Sequence, residues 1–248
     1  MTASATEEIV TAGFVVIGDE ILSGRTKDKN IGTLADFLTE IGIDLCEVRI
    51  VPDIEERIVE AVNALRPRYT YVFTSGGIGP THDDITADAI ARAFGVGIDF
   101  DPRAIAILEA FYPEGGMTDA RKRMTRIPDG ADLIENSVSK APGFRIGNVH
   151  VMAGVPSIMQ AMLEAIRPTL TTGPRLQSRA LDADLPESRI ATALREIQSA
   201  HPGVMIGSYP RSKDGRFSTQ VVVRSRDTAL LDAAARDVET AIAAAIAS

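Results

Sequence analysis

Thr74-Ser75-Gly76-Gly77-Ile78-Gly79-Pro80-Thr81-His82-Asp83-Asp84 follows the apolar run Tyr71-Val72-Phe73 and precedes a helical pattern that starts near Thr86. A buried strand that stops at three glycines within four positions delivers backbone N–H groups to an anion. Gly76, Gly77 and Gly79 lack Cβ, so the chain can take positive φ there and approach a phosphate closely. Asp83 and Asp84 repel a bare phosphate, which points to a metal ion between acids and anion. The bland alternative is a tight strand-to-helix connection in which glycine serves geometry alone. The stretch lacks the Lys-Ser/Thr ending of a P-loop and the Gly-x-Gly-x-x-Gly spacing of a dinucleotide fold.

Working outward, Ala12–Ile17 reads as a buried strand ending at Gly18-Asp19-Glu20. Ile31, Leu34, Phe37, Leu38 and Ile41 form a helical stripe over 30–41, and Gly42 stops it. A strand over 44–51, a turn beginning at Pro52-Asp53, a helix over 54–65 and a strand over 69–74 complete a βαβαβα order. That order predicts a three-layer α/β/α sandwich with a mostly parallel sheet. Ligands then bind beyond the strand C-termini, where Gly18-Asp19-Glu20 and the glycine loop face one cleft. Further on, helices are expected over 102–111, 158–166 and 187–199, short strands over 132–134 and 149–153, a turn at Ile127-Pro128-Asp129-Gly130, and a loop at Ala141-Pro142-Gly143-Phe144. Residues 168–174 read as a linker. They separate a domain of residues 1–171 from a small α+β domain of residues 172–248.

The chain has 248 residues, 45% hydrophobic and 24% charged, with a net charge of −8. The excess of acid lies in the first domain, so nucleic acid is not expected as a partner. Cys46 is the single cysteine and is expected in the core; no internal disulfide can form, which fits a reducing compartment. No apolar run reaches spanning length, and the N-terminus lacks a signal-peptide pattern, so a cytoplasmic protein without membrane contact is expected.

Among other candidates, Gly18 with Asp19 and Glu20 is either a helix-capping acidic pair or the second half of the site. Asn30 either caps its helix or belongs to the site. His82, beside the two acids, is a solvated loop histidine or a base; His150 and His201 have no clustered partners and are read as structural. Arg121, Lys122, Arg123 and Arg126 grip phosphate or form a solvated helix face. With one cysteine and scattered histidines, a zinc site is not expected.

Gly18-Asp19-Glu20-Ile21-Leu22, the stretch from Thr74 to Asp84, Asn136 with Ala141-Pro142-Gly143-Phe144, and Gly154-Val155-Pro156-Ser157 together resemble the molybdopterin-binding domains of MoaB and Mog. They resemble more closely the CinA (competence/damage-inducible) N-terminal domain, a branch also found in eukaryotic FAD synthase. The resemblance spans roughly residues 10–170. It implies that Gly18, Ser75, Gly76, Gly77, Gly79, Thr81, Thr86, Asn30, Gly154, Pro156 and Ser157 bind a phosphate-bearing ligand. It places Asp84 on the acid implicated in catalysis in Mog-type proteins and Asp19 on the other loop acid. Asp83 stands where Mog-type proteins carry a basic residue, Lys29 replaces a frequent Thr, Ala153 a frequent Pro, and Ile158 a frequent Glu. With the chain ending at Ser248, the deamidase domain of full-length CinA proteins is not expected.

The resemblance implies a metal-dependent pyrophosphatase acting on ADP-ribose or an FAD-like diphosphate, with Asp84, Asp83 and Asp19 as catalytic residues and ligands of Mg²⁺, Mn²⁺ or Co²⁺. The alternatives are a molybdopterin adenylyltransferase-like enzyme and a non-catalytic module that binds molybdopterin or a nucleotide. The partner is a small-molecule nucleotide or pterin, and a homo-oligomer, dimer or trimer, is implied.

Overall fold

In a computed structural model that describes residues 9–213 and 216–247, the chain divides into two compact units, Met1–Gly173 and Pro174–Ser248. The first begins with β1 (Val10–Ile17), α1 (Asp19–Leu22), α2 (Asn30–Glu40), β2 (Ile43–Val51), α3 (Glu55–Leu65), β3 (Tyr71–Ser75) and α4 (Thr86–Phe94). It continues through β4 (Ile98–Phe100), α5 (Pro102–Phe111), α6 (Asp119–Arg123), β5 (Arg126–Pro128), β6 (Asp132–Ile134), β7 (Gly143–Ile146), β8 (Val149–Met152) and α7 (Pro156–Ile166).

Six strands form one sheet in the order β2-β1-β3-β8-β7-β6. The pairs β2–β1, β1–β3 and β3–β8 are parallel, and β8–β7 and β7–β6 are antiparallel. Because successive side chains leave a strand on opposite faces, β1 feeds two cores. Phe14 and Val16 join Leu34, Phe37 and Leu38 of α2 and Met159 and Leu163 of α7. Val15 and Ile17 join Ile58, Val62 and Leu65 of α3 and Ala89 and Ile90 of α4. The result is the expected three-layer sandwich with a mostly parallel sheet. Phe14 and Phe73 are fully buried; each such side chain contributes about 1.5–3 kcal/mol through burial. The chain crosses from β1 to β2 on one side and to β3 on the other, so strand order reverses at β1. A crevice opens at the carboxyl ends there.

Three local expectations change. Gly143 and Phe144, read as loop, open strand β7, where Phe144 pairs with both Leu133 and Val151. Ile127 and Pro128, read as a turn, belong to β5, which pairs with the unexpected β4; three-residue strands are too short to show a period. Cys46, expected in the core, is exposed. The β1–β2 register jumps from Ala12↔Leu45 to Gly13↔Glu47, which makes Cys46 the extra residue of a β-bulge.

The second unit holds β9 (Gln177–Ala183), α8 (Ala191–Ala200), β10 (Met205–Lys213), β11 (Arg216–Ser225) and α9 (Thr228–Ala247). Its antiparallel sheet has the order β10-β11-β9, and Val221 and Val223 pack with Leu194 of α8 and Leu231 and Val238 of α9. The helix expected from Glu187 starts as a 3-10 turn, Glu187–Arg189, and becomes α-helical at Ala191. Among the described residues no helix is long and apolar enough to cross a membrane.

Candidate functional site: a glycine loop facing carboxylates

The loop after β3 is built by two glycines with positive φ, 109° at Gly76 and 67° at Gly77. A Cβ on Gly76 would overlap the carbonyl oxygen of Ile17, and one on Gly77 the hydroxyl of Thr86. Gly79 differs from expectation: its φ is not positive, and its missing side chain leaves room for the Asp84 carboxylate. The Gly76 N–H donates to the carbonyl of Met152, which ties the loop to β8. Thr86, expected to touch ligand, is fully buried; its hydroxyl donates to the Gly76 carbonyl at 2.9 Å and its N–H to the Gly77 carbonyl at 2.9 Å. It holds the shape of the loop from beneath.

Asn30 does not cap its helix. Helix α2 is stabilised at its start by Asp28, whose Oδ1 accepts from the Ile31 N–H at 2.8 Å. Asn30 instead lies 4% exposed and donates through Nδ2 to Ser75 Oγ at 2.8 Å and to the Gly154 carbonyl at 2.7 Å. One amide thus bridges the ends of β3 and β8. Its Oδ1 is buried and has no hydrogen-bond partner among the described residues. Ser75 is likewise buried, behind the glycine loop.

These strand ends enclose a cleft of about 510 Å³, a volume suited to a small ligand. Gly18, Gly76, Gly77, Gly79, Asp83, Asp84, Gly154 and Pro156 line it, so most of the expected site residues converge. Asn136 lines it as well, holding the loop before β7 with its amide on Ser139 Oγ and the Ala141 carbonyl. Asp19, Asn30, Ser75, Thr81, Thr86 and Ser157 are outside the lining. Asp53 and Glu20 are inside it.

Asp84 accepts on Oδ2 from both the N–H and the hydroxyl of Thr81, at 2.8 and 2.5 Å, which leaves Oδ1 for other partners. The same Thr81 hydroxyl is the main reason that Asp83 titrates below the usual carboxylate range. Asp53 behaves oppositely. Burial raises its pKa, and the nearby charges of Asp19, Glu20 and Asp83 raise it further, against the Asp19 N–H that donates to Oδ2 at 2.9 Å. From sequence Asp53 reads as a turn residue. The signal available was its place just after β2, beside β1 in the sheet.

Asp19, Asp83 and Asp84 were expected to hold a metal ion together; among the described residues no three acidic, histidine or cysteine side chains are gathered for that. Asp83 is 65% exposed, Asp84 is turned onto Thr81, and Asp19 stands on α1 outside the lining. What the cleft offers a divalent cation is charge and scattered oxygens. That suits a cation such as Mg²⁺, which is held by one or two carboxylates and takes its other oxygens from ligand phosphate and water.

The remaining candidates separate cleanly. The Arg126 guanidinium forms a two-pronged pair with Asp88 at 2.7 and 2.6 Å. Arg121 donates to the Gly116 carbonyl and stacks 3.8 Å over Tyr112. His82 is 99% exposed in its side chain. His150 is buried against Phe73, ring centroids 5.2 Å apart, and burial holds its pKa down at about 4.

Residues 13–172 match the family model of the probable molybdopterin binding domain, and residues 175–248 match the model of the FAD synthase middle domain. A protein of Aeropyrum pernix is 36% identical over 92% of this chain and 90% of its own length. A probable FAD synthase of Caenorhabditis briggsae is 29% identical over 90% of this chain, which spans only 48% of that protein. A crystal structure described as the protein CinA with unknown function, from Thermoplasma acidophilum, superposes with a TM-score of 0.61 at 33% identity, over 64% of this chain and 96% of that one. With its glycine loop, convergent strand ends and matched span, the chain belongs to the family of probable molybdopterin binding domains.

Proposed function

We propose that the cleft binds the diphosphate of a nucleotide such as ADP-ribose or FAD and hydrolyses it with a divalent cation. The observation that carries this reading is the lining of the cleft, where the glycines of the loop, an anion cradle, share one wall space with the carboxylates of Glu20, Asp53, Asp83 and Asp84. A lone phosphate would be repelled by Asp53, Glu20 and Asp83, and a lone cation would gain nothing from the glycine loop. A diphosphate carrying a cation satisfies both. Asp83, Asp53 and Glu20 are the residues within the lining that would hold the cation. When bound, it neutralises phosphoryl oxygens and eases attack by water. Asp84, fixed through Oδ2 by Thr81, keeps Oδ1 to orient that water and take its proton. Water adds to phosphorus, the P–O–P bridge breaks, and two phosphate monoesters leave. The N–H groups of the glycine loop stabilise the charge that develops. The match to a FAD synthase domain and the pterin-binding family favour a nucleotide- or pterin-phosphate ligand.

The test is turnover of ADP-ribose and FAD with Mg²⁺, Mn²⁺ or Co²⁺, read as AMP release. We expect Asp84→Asn to lower kcat by about 10²–10⁴-fold, the range for a general base, with little change in binding. No AMP from either substrate, or adenylylated pterin formed from ATP instead, would sink the proposal.

A further inference from the structure

A second cavity, of about 580 Å³, adjoins the glycine loop, and Pro80 lines both it and the main cleft. Its walls include Phe100, His82, Lys122 and Arg123, with Asp119 as the acid among them. Arg123 also lines the narrow pocket formed with Gly77, Gly79 and Asp84, so one side chain borders both spaces. Its Nε is buried without a hydrogen-bond partner among the described residues, unlike the committed guanidinium of Arg126. A buried guanidinium N–H left unpaired is costly, and a planar fork of donors suits phosphate oxygens. Phe100 is 39% exposed, and the exposed Lys122 ammonium lies 4.6 Å from its ring. Such an exposed cation–π contact is weak enough for an incoming aromatic ring to displace.

We propose that this cavity is a second ligand compartment that takes the far half of a dinucleotide diphosphate, its ring against Phe100 and its phosphate on Arg123. The proposal rests on reading the glycine loop as the diphosphate site. It adds that the preferred ligand has two heads, one in each compartment, and that Arg123 is the phosphate contact between them. Displaced from the ring, the Lys122 ammonium moves to the same phosphates.

Calorimetric titration tests this with the α,β-methylene analogue of ADP-ribose, which water cannot cleave, alongside AMP and ribose 5-phosphate, all in Mg²⁺. Phe100→Ala is expected to weaken the two-headed analogue by about tenfold, in line with loss of one aromatic stack. It should leave the fragment held in the main cleft within about twofold. Arg123→Ala is expected to weaken the analogue by at least about tenfold, and Arg123→Lys to recover part of that. The proposal is overturned if both alanine variants bind the analogue as the wild type does, or if Phe100→Ala weakens every ligand equally. Wild-type protein that binds none of the three would overturn the glycine-loop reading as well.

Discussion

Asn30→Asp changes one NH₂ group to oxygen and almost nothing in shape. In the wild type that group donates at 2.8 Å to Ser75 and at 2.7 Å to the Gly154 carbonyl, in a side chain only 4% exposed. Two buried acceptors lose their donor, at about 1–3 kcal/mol each, and a carboxylate is buried against a carbonyl oxygen. The expected loss at neutral pH is about 3–5 kcal/mol. The new carboxyl titrates above its unfolded value, because burial and the facing carbonyl both disfavour its charge. The variant therefore recovers as pH falls through that raised value, when a protonated carboxyl again donates one bond. Urea titration with hydrogen exchange read on β3 and β8 peptides follows the first unit separately, at several pH values against wild type. A helix cap would tolerate Asp as well as Asn. A deficit below about 1 kcal/mol, or one that does not shrink in acid, would refute the bridging role.

Three further outcomes are expected. Gly76→Ala forces a side chain into φ 109° and against the Ile17 carbonyl; it should destabilise by at least about 1–3 kcal/mol and abolish diphosphate binding, while wild-type affinity in calorimetry would count against the cradle. His150, held down at about 4 by burial, stays neutral in the folded chain while its unfolded counterpart charges below about pH 6.5. Stability should therefore fall by about 2 kcal/mol from pH 7 to pH 5, and His150→Phe should remove most of that slope in urea titrations. Asp53→Asn removes a carboxylate whose charge is disfavoured first by burial and then by Asp19, Glu20 and Asp83; without cation it should raise the melting temperature at neutral pH and reduce the further rise that Mg²⁺ produces, and a drop would contradict this account.

Much of the architecture was legible because its signals are local. The apolar run at β1, the stripes on α2 and α3 and the helix from Thr86 each carry their own period, and three glycines announce a strand that stops at a cleft. What the sequence hid is long-range. Asn30 meets partners 45 and 124 residues away, and nothing near it separates that bridge from a cap. Asp53 looks like part of a Pro-Asp turn until β2 is seen to lie beside β1. The exposure of Cys46 follows from a register jump between two strands, which neither strand reveals alone. Arg121, Lys122, Arg123 and Arg126 look equivalent in sequence; only packing commits Arg126 to Asp88 and leaves Arg123 facing two cavities.

The central claim is that the glycine-loop cleft holds a diphosphate through a divalent cation. Titrating ADP-ribose into the wild-type chain with Mg²⁺ and then with chelator, and assaying the same samples for AMP, tests it most directly. The account predicts saturable binding that chelator weakens by tenfold or more, with AMP formed only when cation is present. Binding of equal strength in chelator, or no binding in either condition, would contradict it.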